Sequence, residues 1–315
     1  RLGMDVPTTY DEFIEMLTRF KNEIPECTAP YTAPGLKSTQ ALPEFYQGAT
    51  ADYVKVDGKW VDGMAQDNML TALQNLQDAY TAGLIDQEAI TNTTSSCRDE
   101  WYAGTVGCFP YWGGLWGETL TVRLKQNVPD AEVIALPPIE GATYLYSAPS
   151  VQVISSKLSD EQVASVYKYF IEYMHDGGEG QVLFQSGVEG VHWQQSGNNI
   201  DPLPTISKPA EAFRKAWITP WLALTPMTAT DKNVEVSQEV TDSLAVVSAN
   251  AKNISVFPVS EQRTMITSDL TTTRENIISR VAMGQLTPEE GMAEYKAQAE
   301  TLNVAQALEE MNANA

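Results

Sequence analysis

CRDEWYAGTVGCFPYWGGLWG, residues 97–117, combines three structural signals in one short stretch. CRDEWYAG is predicted to form a short helix ending at a glycine, and TVGCFPYW is predicted to form a strand. YWGGLWG, residues 111–117, then sets three aromatic residues among three glycines. Glycine weakens the interior of a strand or helix, and exposed aromatic area is unfavourable on an ordinary surface. Aromatic rings on a flexible, glycine-rich backbone therefore indicate a loop that presents flat ring faces to a ligand. A sugar is the candidate ligand.

Three further helices are predicted from their starting residues. Thr9 and Glu12 have the spacing of a capping box, in which the first side chain accepts a hydrogen bond from the third helical amide. Ser159 and Gln162 repeat that spacing ahead of the segment VASVYKYFIEYM. Another helix is expected to begin at TPEE, residues 287–290, because proline suits the first helical position.

Strands are predicted between these helices. Asp57-Gly58 separates two β-prone runs and predicts a hairpin, because glycine accepts the positive φ of a tight turn. AEVIALPP, residues 131–138, is predicted to be a buried strand stopped by its two prolines, and SVQVISS, residues 150–156, another strand. Strands separated by helices indicate an α/β architecture.

Length and charge narrow the classes of function. A chain of 315 residues with 43% hydrophobic residues is long enough for about two domains with a real core. Its 20 basic and 41 acidic residues give a net charge of −21. Such a surface repels phosphate backbones and anionic membranes, so nucleic-acid binding is not expected.

The cysteines and histidines do not predict a metal site. Cys27, Cys97 and Cys108 have no CxxC spacing, and His175 and His192 are the two histidines of the chain. Three reduced, partly buried thiols are the preferred interpretation, and one disulfide with a spare thiol is the alternative. No cofactor is expected.

Several segments resemble, in the same order, bacterial family-1 extracellular solute-binding proteins. These segments are LGMDVPTTYDEFIEMLTRFK, LQDAYTAGLID, WYAGTVGCFPYWGGLW, SAPSVQVISSKLSDEQVASVYKYFIEYM and SGVEGVHW. The resemblance implies a two-lobed, type II periplasmic-binding-protein-like α/β fold. It also implies a monomeric, non-enzymatic receptor that delivers a carbohydrate to the membrane permease of an ABC importer. Such a receptor is lipid-anchored on the extracellular face of the membrane or lies in the periplasm.

The same resemblance predicts the domain organisation. In that family the PTTYDEF helix lies well inside the chain, so the resemblance implies that an N-terminal segment is absent here. Residues 1–138 would form the first part of the second lobe, and 139–186 would return to the first lobe. Residues 187–315 would form a mostly helical part packed on the second lobe. Crossings between lobes are expected near residues 139–148 and 186–192.

Candidate ligand contacts follow from the resemblance together with the chemistry of sugars. Either Trp112 or Trp116, beside Tyr111, would stack on the apolar face of a pyranose, while equatorial hydroxyls find side-chain partners. The alternative is that both tryptophans belong to a core. The remaining candidates, each with an alternative as a surface, hinge or structural residue, are Gln40, Glu44, Tyr46, Tyr144 or Tyr146, Glu189 and His192.

The sequence leaves two other classes of function open. The sequence contains no GxSxG, HExxH or P-loop motif, and no carboxylate pair is marked by its surroundings. A carbohydrate-active hydrolase and a non-transport surface or adhesion protein therefore stand as alternatives to the receptor. No catalytic residue is predicted.

Overall fold

The computed structural model describes residues 1–37, 40–146, 152–203 and 226–315. The chain divides into two compact units. The first unit contains Arg1–Trp112, Leu120–Ser147 and Ala245–Ala315, and the second contains Gly113–Thr119 and Ala148–Leu244. The predicted lobe boundaries stay a prediction, and Ser147 and Ala148 of the first expected crossing lie outside the described residues.

Helices make up most of the regular structure. In the described ranges they are, in chain order, α1 (Tyr10–Glu23), α2 (Pro43–Tyr46), α3 (Asn68–Thr81), α4 (Thr94–Ala103), α5 (Leu115–Asn127), α6 (Asp160–Val166), α7 (Glu179–Ser186), α8 (Gln238–Asn250), α9 (Glu261–Ala282), α10 (Pro288–Thr301) and α11 (Val304–Ala313). A 3-10 turn at Gly63–Ala65 precedes α3, and a π-helical segment, Tyr167–Glu172, continues α6. Among the described residues, none of these helices has both the length and the apolar character needed to cross a bilayer.

The strands of the described residues pair two by two. They are β1 (Ala29–Tyr31), β2 (Tyr53–Val56), β3 (Lys59–Asp62), β4 (Val106–Cys108), β5 (Leu145–Tyr146), β6 (Trp193–Ser196), β7 (Asn199–Pro202) and β8 (Lys252–Asn253). β1 runs parallel to β4, and β5 runs parallel to β8. β2–β3 and β6–β7 are antiparallel hairpins. The predicted α/β class is confirmed.

Aromatic rings form the centre of the first unit's core. Phe13 of α1, Tyr31 of β1 and Phe45 of α2 pack edge to face, with ring centroids 5.1 to 5.9 Å apart. Leu73 of α3 and Ile278 of α9 are fully buried in the same core. These contacts fix the helices around the β1–β4 sheet, because edge-to-face ring pairs add to the stabilisation from burial.

A buried ionic network ties α9 to the hairpin. The Arg274 guanidinium donates from Nη2 to Asp62 at 2.7 Å, from Nη1 to Asp52 at 3.1 Å and from Nε to the Tyr295 hydroxyl at 3.1 Å. Tyr295 in turn donates to Asp62 at 2.6 Å. Because Arg274 and Asp62 are both buried, each needs the other as a counter-charge.

The second unit has a smaller core of its own. Val182, Trp193 and Ile200 pack together between α7 and the β6–β7 hairpin. The Asp176 carboxylate accepts backbone N–H groups at the start of α7, from Gly178 at 2.7 Å and from Gln181 at 3.0 Å. These hydrogen bonds lower the pKa of Asp176 against the opposing effect of burial.

The predicted helix starts are confirmed, one predicted strand is wrong, and a second is not a strand over its described residues. Capping boxes form at Thr9, Ser159 and Thr287, and Asp57-Gly58 turns the β2–β3 hairpin. Residues 131–138 are not a strand, and Ile134 is 62% exposed. Without a paired neighbour, an apolar run cannot satisfy its backbone as a strand. Residues 150 and 151 lie outside the described residues, and 152–156 are not a strand.

Candidate functional site

The candidate site lies in the first unit, where β1 and β4 end. Thr32 follows β1 directly, and residues 109–112 follow β4. Because the two strands are parallel, their carboxyl ends meet at the same edge of the sheet. In open α/β sheets, ligands bind outside this edge.

Four rings form what we call the aromatic strip: Trp101, Phe109, Tyr111 and Trp112. The centroids of successive rings are 6.0, 4.9 and 4.8 Å apart. Trp101, on α4, is held by a 3.3 Å hydrogen bond from its indole N–H to the Leu120 carbonyl. Trp112, at the other end, is 58% exposed. The strip therefore has one anchored end and one largely exposed end.

One guanidinium group contacts the strip, and a second contacts the neighbouring Tyr102. Arg98, on α4, donates from Nη1 to the Tyr111 hydroxyl at 3.0 Å and from Nη2 to Ser95 at 2.9 Å. The Arg123 guanidinium, on α5, lies 5.1 Å from the centroid of the Tyr102 ring. Burial raises the pKa of Tyr102 and of Tyr111, and in both cases the positive charge of Arg98 opposes the shift. Arg98 thus contacts the strip at Tyr111, and Arg123 contacts Tyr102, which follows Trp101 on α4.

A polar cluster occupies the same edge of the sheet. The buried Thr32 hydroxyl lies 3.0 Å from Asp86 Oδ2 and 2.8 Å from Glu100 Oε2. The Asn92 amide donates to Asp86. Burial raises the pKa of Glu100, and the charge of Asp86 raises it further. A hydroxyl carries one proton and can donate to one carboxyl at a time, so Thr32 does not donate to Asp86 and Glu100 at once.

Glu44, predicted as a ligand contact, accepts hydrogen bonds from two tyrosines. Tyr31 donates to Oε2 and Tyr144 donates to Oε1, both at 2.9 Å. The Ile139 amide donates to the Tyr144 oxygen at 3.1 Å. Burial raises the pKa of Glu44, since the charged form loses its hydration. In this structure Glu44 holds residues 139–144 against the body of the first unit.

Two more of the predicted contacts are interior residues. Tyr46 is fully buried and its hydroxyl donates to the Leu36 carbonyl at 2.8 Å, because α2 packs into the core on all sides. The alternative of an ordinary surface loop at Glu44 and Tyr46 is therefore wrong, and their role as ligand contacts stays a prediction. Trp116 is buried in the second unit with 7% exposure, and so has no exposed stacking face. Gln40 is exposed, and Tyr146 on β5 is 47% exposed.

The last two predicted contacts lie in the second unit. Glu189 is exposed, and His192 accepts a 2.9 Å hydrogen bond at Nδ1 from the Val188 amide. This bond closes the turn that Gly187 enters with a φ of +82°. Of the predicted contacts, Tyr111 and Trp112 are the two that the structure places together in the aromatic strip.

The sequence alone did not identify the arginines near the strip, Arg98 and Arg123. Arg98 and Tyr102 stand four apart on α4 and therefore share one face of that helix. That spacing is visible in CRDEWY and is the signal that would have marked Arg98. Arg123 carried no such signal, because its place beside Tyr102 depends on how α5 packs.

Comparison with solved structures identifies the fold. The crystal structure of the alginate-binding protein AlgQ2 without calcium ion aligns with a TM-score of 0.67 at 15% identity, over 99% of this chain and 69% of that chain. An HMO-binding, ABC-transporter-associated solute-binding protein from Bifidobacterium longum infantis ATCC 15697 aligns with a TM-score of 0.66 at 15% identity, over 99% and 70% of the two chains. The chain has the fold of ABC-transporter solute-binding proteins. The predicted fold is thus confirmed.

Sequence comparison adds a distant relative. Lipoprotein LipO of Bacillus subtilis (strain 168) is 20% identical over 210 residues, which cover 61% of this chain and 42% of LipO. The chain therefore spans less than half the length of this curated relative. No protein-family model matches the chain.

Proposed function

We propose that this protein binds a carbohydrate and delivers it to the membrane permease of an ABC importer. The observation that carries the proposal is the aromatic strip, with Trp112 exposed, at the carboxyl edge of a parallel sheet in a solute-binding-protein fold. In this role the protein makes and breaks no covalent bond.

The strip suits a sugar for physical reasons. A pyranose has an apolar face of axial C–H groups, which an indole face covers, and a rim of hydroxyls that need hydrogen-bond partners. Trp112 supplies the exposed ring, with the Tyr111 ring 4.8 Å from it. We propose these two residues as ligand contacts, with Gln40, Tyr146, Glu189 and His192 as further contacts to be tested.

The structural neighbours support binding rather than catalysis. One is described as alginate-binding and another as HMO-binding and ABC-transporter-associated. A permease partner, a monomeric state and a location on the extracellular face or in the periplasm follow from the same proposal. The name of the distant relative, a lipoprotein, is in line with a lipid-anchored form.

The proposal is tested by ligand capture and by uptake. Full-length protein is applied to an array of oligosaccharides, and the bound glycan is then supplied in labelled form to cells with and without the gene. We expect saturable binding and gene-dependent uptake. Normal uptake of the bound glycan in cells that lack the gene would reject the transport role, and release of a shortened glycan would favour the hydrolase.

A further inference from the structure

Residues 140–146 form the last described stretch of the first unit before the chain enters the second unit at Ala148. At one end of this stretch Ile139 is 2% exposed in the core, and the Glu140 amide donates to the Thr8 carbonyl at 2.7 Å. At the other end the two-residue strand β5 pairs with β8. Such a short strand pair supplies few backbone hydrogen bonds, so the stretch depends on side chains for its position.

Tyr144 attaches this stretch to α2. Its hydroxyl donates to Glu44 Oε1 at 2.9 Å and accepts a hydrogen bond from the Ile139 amide at 3.1 Å. Nearby, the backbone of Gly141 runs so close to α2 that a Cβ there would meet the side-chain oxygen of Gln47. Gln47 in turn donates from Nε2 to the Glu44 carbonyl at 2.8 Å. The stretch therefore lies against the end of α2, with the Tyr144–Glu44 hydrogen bond at the contact.

Glu44 has no counter-charge in this setting. It is 8% exposed, and none of the ion pairs among the described residues involves it. The titratable or polar groups that neighbouring elements bring to α2 are neutral at ordinary pH: Tyr31 of β1, Cys108 of β4, Tyr10 of α1, Asn75 of α3 and Tyr144. A charged carboxylate here would be buried without a partner of opposite charge, which is costly.

The hydrogen bonds around Glu44 also favour a proton on its carboxyl. The Tyr31 hydroxyl lies 2.9 Å from Glu44 Oε2 and 2.9 Å from the Ala41 carbonyl, and its single proton serves one acceptor at a time. A neutral Glu44 brings a proton of its own, so both contacts can then be hydrogen bonds. Burial raises the pKa of Glu44, and the tyrosine hydrogen bonds oppose this shift without reversing it.

We propose that Glu44 is a pH-sensitive latch, which holds residues 140–146 on α2 when it is neutral and releases them when it ionises. The physical reason is hydration, because a carboxylate at this position gains water only if a group that covers it moves away. Tyr31 is 2% exposed on β1 and cannot move without disrupting the core, whereas Tyr144 is half-buried on a stretch with little regular structure. The released stretch carries Tyr146, one of the contacts proposed above, but the inference does not rest on carbohydrate binding.

Hydrogen exchange of the full-length protein measures the latch without any ligand. Peptides that cover 139–146 and peptides from α9 are followed by mass spectrometry across pH, and each rate is divided by the intrinsic exchange rate at that pH. We expect the opening equilibrium of 139–146 to rise by up to about ten-fold per pH unit above 4.5 and to level off above the pKa of folded Glu44. The α9 amides should stay more strongly protected throughout, because they exchange only through larger openings of the core.

Three variants assign the effect to the latch. Glu44→Gln has a neutral side chain at every pH, so protection of 139–146 should no longer depend on pH. Tyr144→Phe lacks the hydroxyl that bonds to Glu44, so the same peptides should exchange about ten-fold faster than in wild type at pH 4.5, with α9 unchanged. Glu140→Gln is the matched control and should keep the wild-type profile, because Glu140 is an exposed carboxyl on the same stretch and its loss changes the net charge equally. Thermal melts show which variants are folded, and wild type with Tyr144→Phe carries the test if Glu44→Gln is not.

Three results would overturn the latch. Equal pH dependence of 139–146 in wild type and Glu44→Gln, or equal protection in wild type and Tyr144→Phe, would show that Glu44 does not hold this stretch. Identical corrected rates for 139–146 and α9 at every pH would show that Glu44 acts only through unfolding of the whole unit. The proposed function stands or falls separately, because its test is sugar binding and uptake.

Discussion

Trp112 and Trp116 lie four residues apart in YWGGLWG, and the structure exposes the first by 58% and the second by 7%. If Trp112 is the stacking ring, Trp112→Ala should cost about 1–3 kcal/mol of sugar affinity, roughly ten- to hundred-fold. It should leave the melting temperature almost unchanged, because little core packing is lost. Trp116→Ala should instead cost about 3–5 kcal/mol of folding stability through lost burial and a cavity.

A thermal melt and a sugar titration of each variant decide whether each tryptophan is a stacking residue or a core residue. A large drop in stability for Trp112→Ala, together with unchanged sugar affinity, would make Trp112 a structural residue. The sequence predicted that this loop presents aromatic rings, but it did not distinguish the two tryptophans. Their burial depends on how the backbone turns between them, where Gly114 adopts a φ of +72°.

Glu44 predicts a pH dependence of stability at the scale of one residue. Burial raises the pKa of the folded carboxyl above its ordinary value of 4.5, so the folded chain retains the proton to higher pH than the unfolded chain. The stability from this proton is fully present below the unfolded pKa and is lost as pH rises through the folded pKa. Glu44→Gln does not titrate. Wild type should therefore lose stability relative to this variant as pH rises from 4.5 through the pKa of the folded carboxyl.

Urea unfolding of both proteins across that pH range measures the difference directly. Glu12→Gln is a suitable control, because hydrogen bonds from Thr8 and Thr9 lower the pKa of this exposed carboxyl and the slope should have the opposite sign. A constant difference between wild type and Glu44→Gln would show that Glu44 ionises normally in the folded protein. The buried position of Glu44 was not predicted, because PEFY gives no sign that the whole turn packs inward.

At the scale of elements, α9, the longest helix among the described residues, is attached to the β2–β3 hairpin by charge. Arg274→Met should destabilise the protein by about 3–5 kcal/mol, because the substitution leaves the buried Asp62 without its counter-charge. Arg280→Gln, on the same helix, breaks a half-buried pair with Glu294 and should cost about 1 kcal/mol. Denaturant unfolding compares the two variants, and similar losses for both would contradict this view of the network.

Elements with local signals were predictable, and elements defined by distant partners were not. The starts of α1, α6 and α10 depend on side chains three residues apart, and the β2–β3 turn depends on one Asp-Gly pair. A strand at 131–138 would have needed a partner strand that no local pattern specifies. The parallel pairing of β1 with β4 likewise joins residues far apart in the chain.

At the scale of the whole molecule, the fold was predictable because several short segments occur in a characteristic order. The alignment over 99% of the chain with solute-binding proteins confirms that prediction. Lobe boundaries could not be predicted in this way, because they depend on which segments move together. The segment 186–192, expected at a crossing, lies within the second unit. The lobe boundaries and the path of the predicted crossings therefore stay predictions.

The measurement that tests the central claim most directly is a calorimetric titration of full-length protein with the best oligosaccharide from the array, followed by chromatography of the sugar recovered from the cell. The account predicts saturable binding at one site per chain, weakened roughly ten- to hundred-fold in Trp112→Ala, with the oligosaccharide recovered intact. Binding of equal strength in wild type and Trp112→Ala, or recovery of a cleaved sugar, would contradict it.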